Sequence, residues 1–171
     1  IQYGTSIVYP PSSMCCHVSV IPNHQVHRNT SLKMRGDVAS SGVLGYQLDL
    51  TKLTPEEKEY TKKQIELYKE LRKLILFGRM HRLKSPFTSN EAAWIFVSED
   101  HKEAFMAYFR ILAIPNEPLA RIFPRGLNPA FTYELIDEDM ALSGDALMYA
   151  GLPIPLLKGD FQSYTWRMKA R

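Results

Sequence analysis

The sequence of 171 residues lacks long apolar stretches, blocks of like charge and the common nucleotide-binding motifs. No run of about 18 apolar residues occurs, so no membrane-spanning helix is expected. The 21 basic and 18 acidic residues are mixed along the chain, and the net charge of +3 forms no basic stripe of the kind that binds nucleic acid. No phosphate-binding loop, dinucleotide fingerprint or Ser/His/Asp arrangement is present. We therefore expect neither a membrane nor a nucleic acid as a partner.

Cysteine is also scarce, since the two cysteines are the neighbours Cys15 and Cys16. Adjacent cysteines do not bridge each other, so a disulfide framework is excluded, which favours a reducing compartment and a cytoplasmic location. Cys15, Cys16 and His17 are not expected to bind a metal, because side chains alternate between the two faces of a strand. His24 and His27 lie in a loop, where no helix presents both to one ion. No metal ligand is expected.

What the sequence does contain is material for a core, since 45% of its residues are hydrophobic and 11% are aromatic. The first segment, 1-IQYGTSIVYP-10, has no cap, turn residue or polar lead-in, and the chain begins with Ile1. We interpret the chain as the C-terminal part of a longer protein.

Residues 1–78 alternate between helical and strand-like patterns. The predicted elements are a helix end stopped by Pro10 and Pro11, a strand at 14–21, a helix at 31–42, a strand at 43–50 and a helix from Thr54 to about Phe77. Thr54 and Glu57 form a capping box around Pro55, and Gly78 stands at a C-cap position. This order predicts a parallel sheet covered by helices. The continuous apolar run at 14–21 fits a strand buried on both faces, with His17 as a hydrogen-bonded core residue. Two strands leave their edges open, so the rest of the sheet is expected upstream of Ile1.

The pattern changes near residues 79–85, where we place a domain boundary. Strand-like segments follow at 92–98, 103–113, 131–137 and 163–170, with a short helix at 145–151. They predict an antiparallel sheet or sandwich. Its aromatic residues offer either a surface that stacks on sugars or a core, and their alternation along the strands favours the core. These residues are Trp94, Phe96, Phe105, Tyr108, Phe109, Tyr164 and Trp166.

A polar cluster, 22-PNHQVHR-28, follows the first strand directly. Ligands of parallel sheets bind beyond the carboxyl ends of the strands, and the amide and imidazole groups of Asn23, His24 and Gln25 suit the hydroxyls of a sugar. An ordinary polar loop explains the cluster equally well. Asp37 and Asp49 are weaker candidates, because nothing pairs them across a glycosidic bond, and a capping role fits both better.

The order of motifs resembles the end of bacterial α-galactosidases of glycoside hydrolase family 36. The resemblance covers essentially the whole chain, and its most specific phrases are H-V-S-x-x-P-N-H-Q and G-x-x-G-Y-x-L-D-L. The matching segments are 6-SIVYPPSSMCCHVSVIPNHQVHR-28, 35-RGDVASSGVLGYQLDLTKLTPEEK-58, 78-GRMHRLKSPF-87, 92-AAWIFVS-98 and 144-GDALMYAGLPIPLLKGDFQSYTWRMKA-170.

This resemblance implies an α/β plus all-β fold, in which residues 1–79 are the last two βα units of a (β/α)8 barrel and residues 80–171 a C-terminal antiparallel β-sandwich. It implies a retaining hydrolase of terminal α-galactosyl residues in melibiose- and raffinose-type oligosaccharides, without cofactor and often tetrameric. The alternative is a non-catalytic sandwich module for carbohydrate binding or oligomerisation.

The family's two aspartate motifs and its glycine-rich sugar-binding motif do not occur in the chain, and Cys15-Cys16 does not match the latter. The resemblance therefore implies that both catalytic aspartates lie upstream and that the chain alone is inactive. The family's Pro-Asn-His-Gln corresponds to residues 22–25, so Asn23, His24 and Gln25 are expected to contact substrate or to support the residues that do.

Overall fold

The computed structural model describes all 171 residues, from Ile1 to Arg171. Contacts between residues divide the chain into two compact units, Ile1–Leu76 and Phe77–Arg171.

The first unit contains two strands and three α-helices. In chain order these are α1 (Gln2–Thr5), β1 (Cys15–Ser19), α2 (Leu32–Ala39), β2 (Val43–Gln47) and α3 (Pro55–Phe77), with 3₁₀ turns at Pro11–Ser13 and Leu50–Lys52. β1 and β2 pair in parallel, with Cys15 opposite Val43 and Ser19 opposite Gln47. The parallel pairing expected from the order of the elements is confirmed.

One face of this two-stranded sheet is covered and the other is exposed. Cys16 and Val18 are buried in a small core, whereas Cys15 and His17 are exposed. A strand buried on both faces and a core position for His17 were both wrong expectations for this chain, because α2 packs on the face that carries Cys16 and Val18. The other core members are Met14, Leu32 and Ala39.

Hydrogen bonds from tyrosine and glutamine side chains hold α3 to the sheet. The hydroxyl of Tyr68 donates to the Gly42 carbonyl at 2.8 Å and accepts from the Leu44 amide at 3.2 Å. Tyr46 donates to Gln64 Oε1 at 3.0 Å, and burial raises the pKa of Tyr46 to about 12. These contacts pair polar atoms that would otherwise be buried without partners.

The start of α3 has the geometry that the sequence predicts. Thr54 N–H donates to Glu57 Oε2 at 3.0 Å, and Glu57 N–H donates to Thr54 Oγ1 at 3.2 Å, so the capping box is confirmed. The helix ends at Phe77, also as predicted. Gly78 is not among the glycines with positive φ, so the expected left-handed cap is absent and the chain continues directly into a strand at Arg79.

The second unit is built on a six-stranded antiparallel sheet of order β3-β4-β5-β10-β7-β8. Its strands are β3 (Arg79–Lys84), β4 (Glu91–Val97), β5 (Glu103–Arg110), β7 (Thr132–Leu135), β8 (Met140–Ser143) and β10 (Gln162–Ala170). A separate two-stranded sheet pairs β6 (Arg121–Ile122) with β9 (Leu152–Pro153), and Ala146–Ala150 form a π-helical turn. The antiparallel sheet and a helical segment near 145–151 are thus confirmed. The strands β3, β6, β8 and β9 were not predicted from the sequence.

The core of this unit joins one face of the large sheet to the smaller elements. Residues from β4, β5, β7 and β10 share it with Ile122, Leu127, Leu147 and Leu152, which come from the short strands, the loops and the π-helical turn. The layer that faces the large sheet is therefore mostly loop and turn, and not a second full sheet.

Tyr133 fixes the chain near the start of β7. The side chain is fully buried, and its hydroxyl donates to the His101 carbonyl at 2.6 Å while accepting from the Asn128 amide at 2.9 Å. One hydroxyl therefore satisfies polar groups from two separate loops.

Replacing Tyr133 by phenylalanine should lower the free energy of unfolding of the second unit by about 1–3 kcal/mol, because two backbone groups lose their partner. Urea unfolding followed by tryptophan fluorescence measures this, since Trp94 and Trp166 both lie in the second unit. Tyr149→Phe is the matched control, because Tyr149 is 82% exposed. Equal stability of Tyr133→Phe and the control would contradict the assigned role.

Candidate functional site

The loop that connects β1 to α2, residues 20–30, carries the predicted polar cluster. It begins at the carboxyl end of β1, the edge of a parallel sheet at which ligands bind. Asn23 is half-buried, whereas His24 and Gln25 are exposed. The structure therefore brings the three predicted residues together in one loop but gives them different surroundings.

Asn23 organises the loop from within. Its Oδ1 accepts hydrogen bonds from the amides of Gln25 at 3.0 Å and Val26 at 3.1 Å. Its own amide donates to the Arg28 carbonyl at 3.0 Å, and its carbonyl accepts from the His27 amide at 2.8 Å. An asparagine side chain that replaces a backbone acceptor in this way stabilises a turn. The side-chain oxygen and the backbone oxygen of Asn23 are therefore both engaged in hydrogen bonds within the loop.

His24 and Gln25 are free to meet a ligand. Their side chains are exposed and form no hydrogen bond within the chain. Between them an amide and an imidazole offer both donors and acceptors, which is what sugar hydroxyls require. His27 has a φ of 51°, a left-handed conformation that turns the loop back toward α2.

Arg35 holds the two ends of loop 20–30 together. Its Nη1 donates to the Ser19 carbonyl at 2.5 Å, and its Nε donates to the Thr30 carbonyl at 3.2 Å. We call these two bonds the Arg35 bridge. Burial lowers the pKa of the Arg35 guanidinium, but arginine keeps its charge at any physiological pH.

Arg35 was not among the residues selected from the sequence, although a signal was present. Ser31 caps α2 by accepting from the Met34 amide at 3.1 Å, which fixes the start of the helix. Side chains of a helix tilt toward its N-terminus, so a long side chain in the first turns reaches back to the incoming chain. Arg35 occupies such a position.

The exposed face of the β1–β2 sheet adds further polar groups below the loop. Cys15, His17 and Ser19 alternate along it on β1, opposite Val43, Gly45 and Gln47 on β2. A methyl group on Gly45 would come within 2.7 Å of His17 Cδ2, so the glycine leaves room for the imidazole. This face was not selected as a candidate site from the sequence, because the strand pattern indicated burial on both sides.

Asp37 and Asp49 have structural partners. Asp37 forms an ion pair of 2.5 Å with Lys33, one turn earlier on α2. Asp49 caps the 3₁₀ turn at Leu50–Lys52 by accepting from the amide and the hydroxyl of Thr51, and the hydroxyl contact lowers the pKa of Asp49. The capping role predicted for Asp49 is confirmed. The capping role predicted for Asp37 is wrong, because Asp37 lies inside α2 and pairs with Lys33 instead of with a helix end.

Six of the seven aromatic residues selected from the sequence are buried, and Tyr164 is partly buried. Trp94 and Phe96, on one face of the sheet, are 3% and 0% exposed, and Trp166, on the other, is 2% exposed. Rings pack against each other on both faces, with centroids 4.6 Å apart for Trp94 and Phe109 and 4.7 Å apart for Tyr164 and Trp166. The predicted core role is confirmed, and these rings form no exposed surface on which a sugar could stack.

Titratable side chains inside the second unit also serve the fold. Glu91 accepts a hydrogen bond from the Tyr108 hydroxyl and pairs with Lys84 at 2.5 Å, and burial raises the pKa of Tyr108. No group of three His, Cys, Asp or Glu side chains is arranged to hold a metal ion, and no helix is long and apolar enough to cross a membrane.

Two family models match the chain, one for each unit. The model named Melibiase matches residues 1–78, and the glycosyl hydrolase family 36 C-terminal domain matches residues 91–168. The chain belongs to glycoside hydrolase family 36.

Relatives within family 36 match along the full length of the chain. The α-galactosidase AgaA of Geobacillus stearothermophilus is 54% identical over 171 residues, which are 99% of this chain and 23% of AgaA. The α-galactosidase 1 of Pediococcus pentosaceus is 45% identical over 170 residues, again 99% of this chain and 23% of the relative. The chain thus spans about a quarter of the length of these family 36 proteins.

The fold agrees with solved structures of family 36. A variant of AgaA in complex with raffinose superposes with a TM-score of 0.97 at 52% identity, over 99% of this chain and 24% of that one. The family therefore explains both the parallel pair of strands and the antiparallel sheet.

Proposed function

We propose that this chain is the C-terminal portion of a retaining α-galactosidase that hydrolyses terminal α-galactosyl residues of melibiose- and raffinose-type oligosaccharides. The observation that carries the proposal is the match along the whole chain to AgaA, at 54% identity. The raffinose complex of an AgaA variant supports this class of substrate.

We further propose that residues 1–79 are the last two βα units of a (β/α)8 barrel and residues 80–171 the C-terminal β-sandwich domain. The parallel β1–β2 pair with one exposed face supports the first part, because barrel strands are covered on the outside by helices and on the inside by other strands. The six-stranded antiparallel sheet supports the second.

Retaining glycosidases need two carboxyl groups, one as nucleophile and one as general acid and base. We propose that both are aspartates upstream of Ile1. Asp37 and Asp49 are engaged in an ion pair and a cap, which are structural roles. The contribution of this chain is then to shape the pocket, with Asn23 building loop 20–30 and His24 and Gln25 presented to substrate.

The same proposal includes the oligomeric state and the cellular compartment of the parent enzyme. We expect a homo-oligomer, with a tetramer as the form that the family resemblance implies. The free cysteines, exposed Cys15 and buried Cys16, fit the reducing conditions of the cytoplasm. A purely carbohydrate-binding role for residues 80–171 is not favoured, because the aromatic rings that would stack on sugars are buried.

The isolated 171-residue chain should have no α-galactosidase activity, whereas the full-length enzyme that contains it should hydrolyse p-nitrophenyl α-galactoside and melibiose. The reason is that the nucleophile and the general acid are supplied by the preceding part of the barrel. Release of p-nitrophenol, measured at equal molar concentration of both proteins, checks the prediction. Comparable turnover by the isolated chain would overturn it.

Asp37→Asn and Asp49→Asn should leave kcat of the full-length enzyme within about twofold of wild type, since surface pairs and caps contribute only about 1 kcal/mol. Loss of a general acid or base lowers kcat by roughly 10²–10⁴-fold. Initial rates on p-nitrophenyl α-galactoside separate the two cases. A loss of a hundredfold or more in either variant would assign that aspartate to the catalytic machinery.

A fragment of residues 1–78 should not unfold cooperatively. Its two strands leave open edges and a polar, uncovered face, so it cannot bury enough apolar surface on its own. Circular dichroism at 222 nm, followed through a thermal ramp, gives the answer. We expect a gradual loss of signal, and a sharp two-state transition would argue against the barrel assignment.

A further inference from the structure

Loop 20–30 is fastened at both ends by a single side chain. The Ser19 carbonyl is the last of β1, and the Thr30 carbonyl is the last before the cap of α2. Arg35 donates to both, at 2.5 Å and 3.2 Å. The guanidinium therefore sets the distance between the two stems of the loop.

Arginine is suited to this task in a way that lysine is not. Its donors form a rigid planar fork, so Nη1 and Nε can address two acceptors that are fixed relative to each other. In the Arg35 bridge the guanidinium donates its hydrogen bonds to backbone carbonyls at the two ends of one loop, and not to a carboxylate. A lysine at this position has three donors on a flexible stem but no planar fork, so it would hold the two carbonyls less rigidly.

The interior of the loop is fixed independently of its stems. The Asn23 side chain accepts from the amides of Gln25 and Val26, and the Asn23 amide and carbonyl bond to Arg28 and His27. Two sets of contacts thus order the loop, whereas the exposed side chains of His24 and Gln25 form no hydrogen bond within the chain. Ordered presentation of unused polar side chains is what a preorganised binding surface requires.

We propose that Arg35 is a positioning residue of the α-galactosidase, which holds loop 20–30 so that His24 and Gln25 contact the sugar units attached to the terminal galactosyl group. This inference rests on the proposed function. The loop extends beyond the carboxyl end of β1 and its two side chains are exposed, so it is placed for the part of a substrate that projects from a pocket at that edge.

Removing the bridge should therefore weaken binding of longer substrates more than it slows the reaction. Without Arg35 the loop stems separate, and the loop must be ordered when the substrate binds. In the full-length enzyme, Arg35→Ala should raise KM for raffinose roughly tenfold, equivalent to about 1.4 kcal/mol. The value of kcat should change by less than about threefold, because the interaction is made equally in the ground and transition states.

The comparison of substrates separates positioning from general damage. For p-nitrophenyl α-galactoside, which has no second sugar, KM should change by less than about twofold. Arg35→Lys should give an intermediate KM for raffinose, because its flexible ammonium can still donate to the carbonyls but holds them less rigidly than the guanidinium fork. If Arg35→Ala does not fold, the lysine variant carries the test with the same substrate pair.

Lys33→Ala is the matched control, because Lys33 lies on the same helix and pairs with Asp37, away from the bridge. It should behave as wild type with both substrates. Hydrogen–deuterium exchange of the full-length enzyme should show faster exchange of peptides covering residues 20–30 in Arg35→Ala, and not in Lys33→Ala.

An unchanged KM for raffinose in Arg35→Ala, or an equal rise for both substrates, would overturn the inference. So would exchange in residues 20–30 that matches the control variant. Failure of the wild-type enzyme to hydrolyse any α-galactoside would instead remove the proposed function, and the exchange measurement would still decide whether Arg35 orders the loop.

Discussion

The first unit is governed by one constraint, that two parallel strands cannot complete a sheet. β1 and β2 form hydrogen bonds with each other along one edge, and one face of the pair is buried beneath α2. On the other face Cys15 and His17 are exposed. Parallel sheets are stable when both faces are covered. The proposed barrel supplies the missing cover, because side chains of the other strands would pack on the exposed face. The carboxyl end of β1 would then lie at the rim of the pocket.

The second unit meets the opposite condition, because its sheet is antiparallel and its central strands are buried. The aromatic rings of β4 and β5 are buried, so they offer no surface on which a sugar could stack. Polar groups inside it have partners: the Tyr133 hydroxyl donates to the carbonyl of His101 in a loop, and the Tyr108 hydroxyl donates to Glu91 on the neighbouring strand. In the proposed enzyme, recognition therefore falls to loop 20–30.

Sequence reasoning predicted the features that depend on local pattern. The capping box at Thr54 and the parallel order of β1 and β2 follow from residues close in the chain. It failed for β6 and β9, which are two residues each, and for the exposure of His17, because burial of a face depends on elements elsewhere. The polar cluster was found by composition, whereas Arg35 was identified from its contacts, since its position early in a helix does not show which carbonyls its side chain reaches.

The central claim is that this chain shapes a galactoside pocket whose reacting carboxylates lie outside it. The most direct test labels the full-length enzyme with a galactose-configured cyclophellitol aziridine, which forms an ester with the nucleophile of a retaining glycosidase, and then maps the modified peptide by mass spectrometry. We predict a single labelled aspartate in a peptide N-terminal to Ile1. A label within residues 1–171, on Asp37, Asp49 or any other carboxylate, would contradict the account.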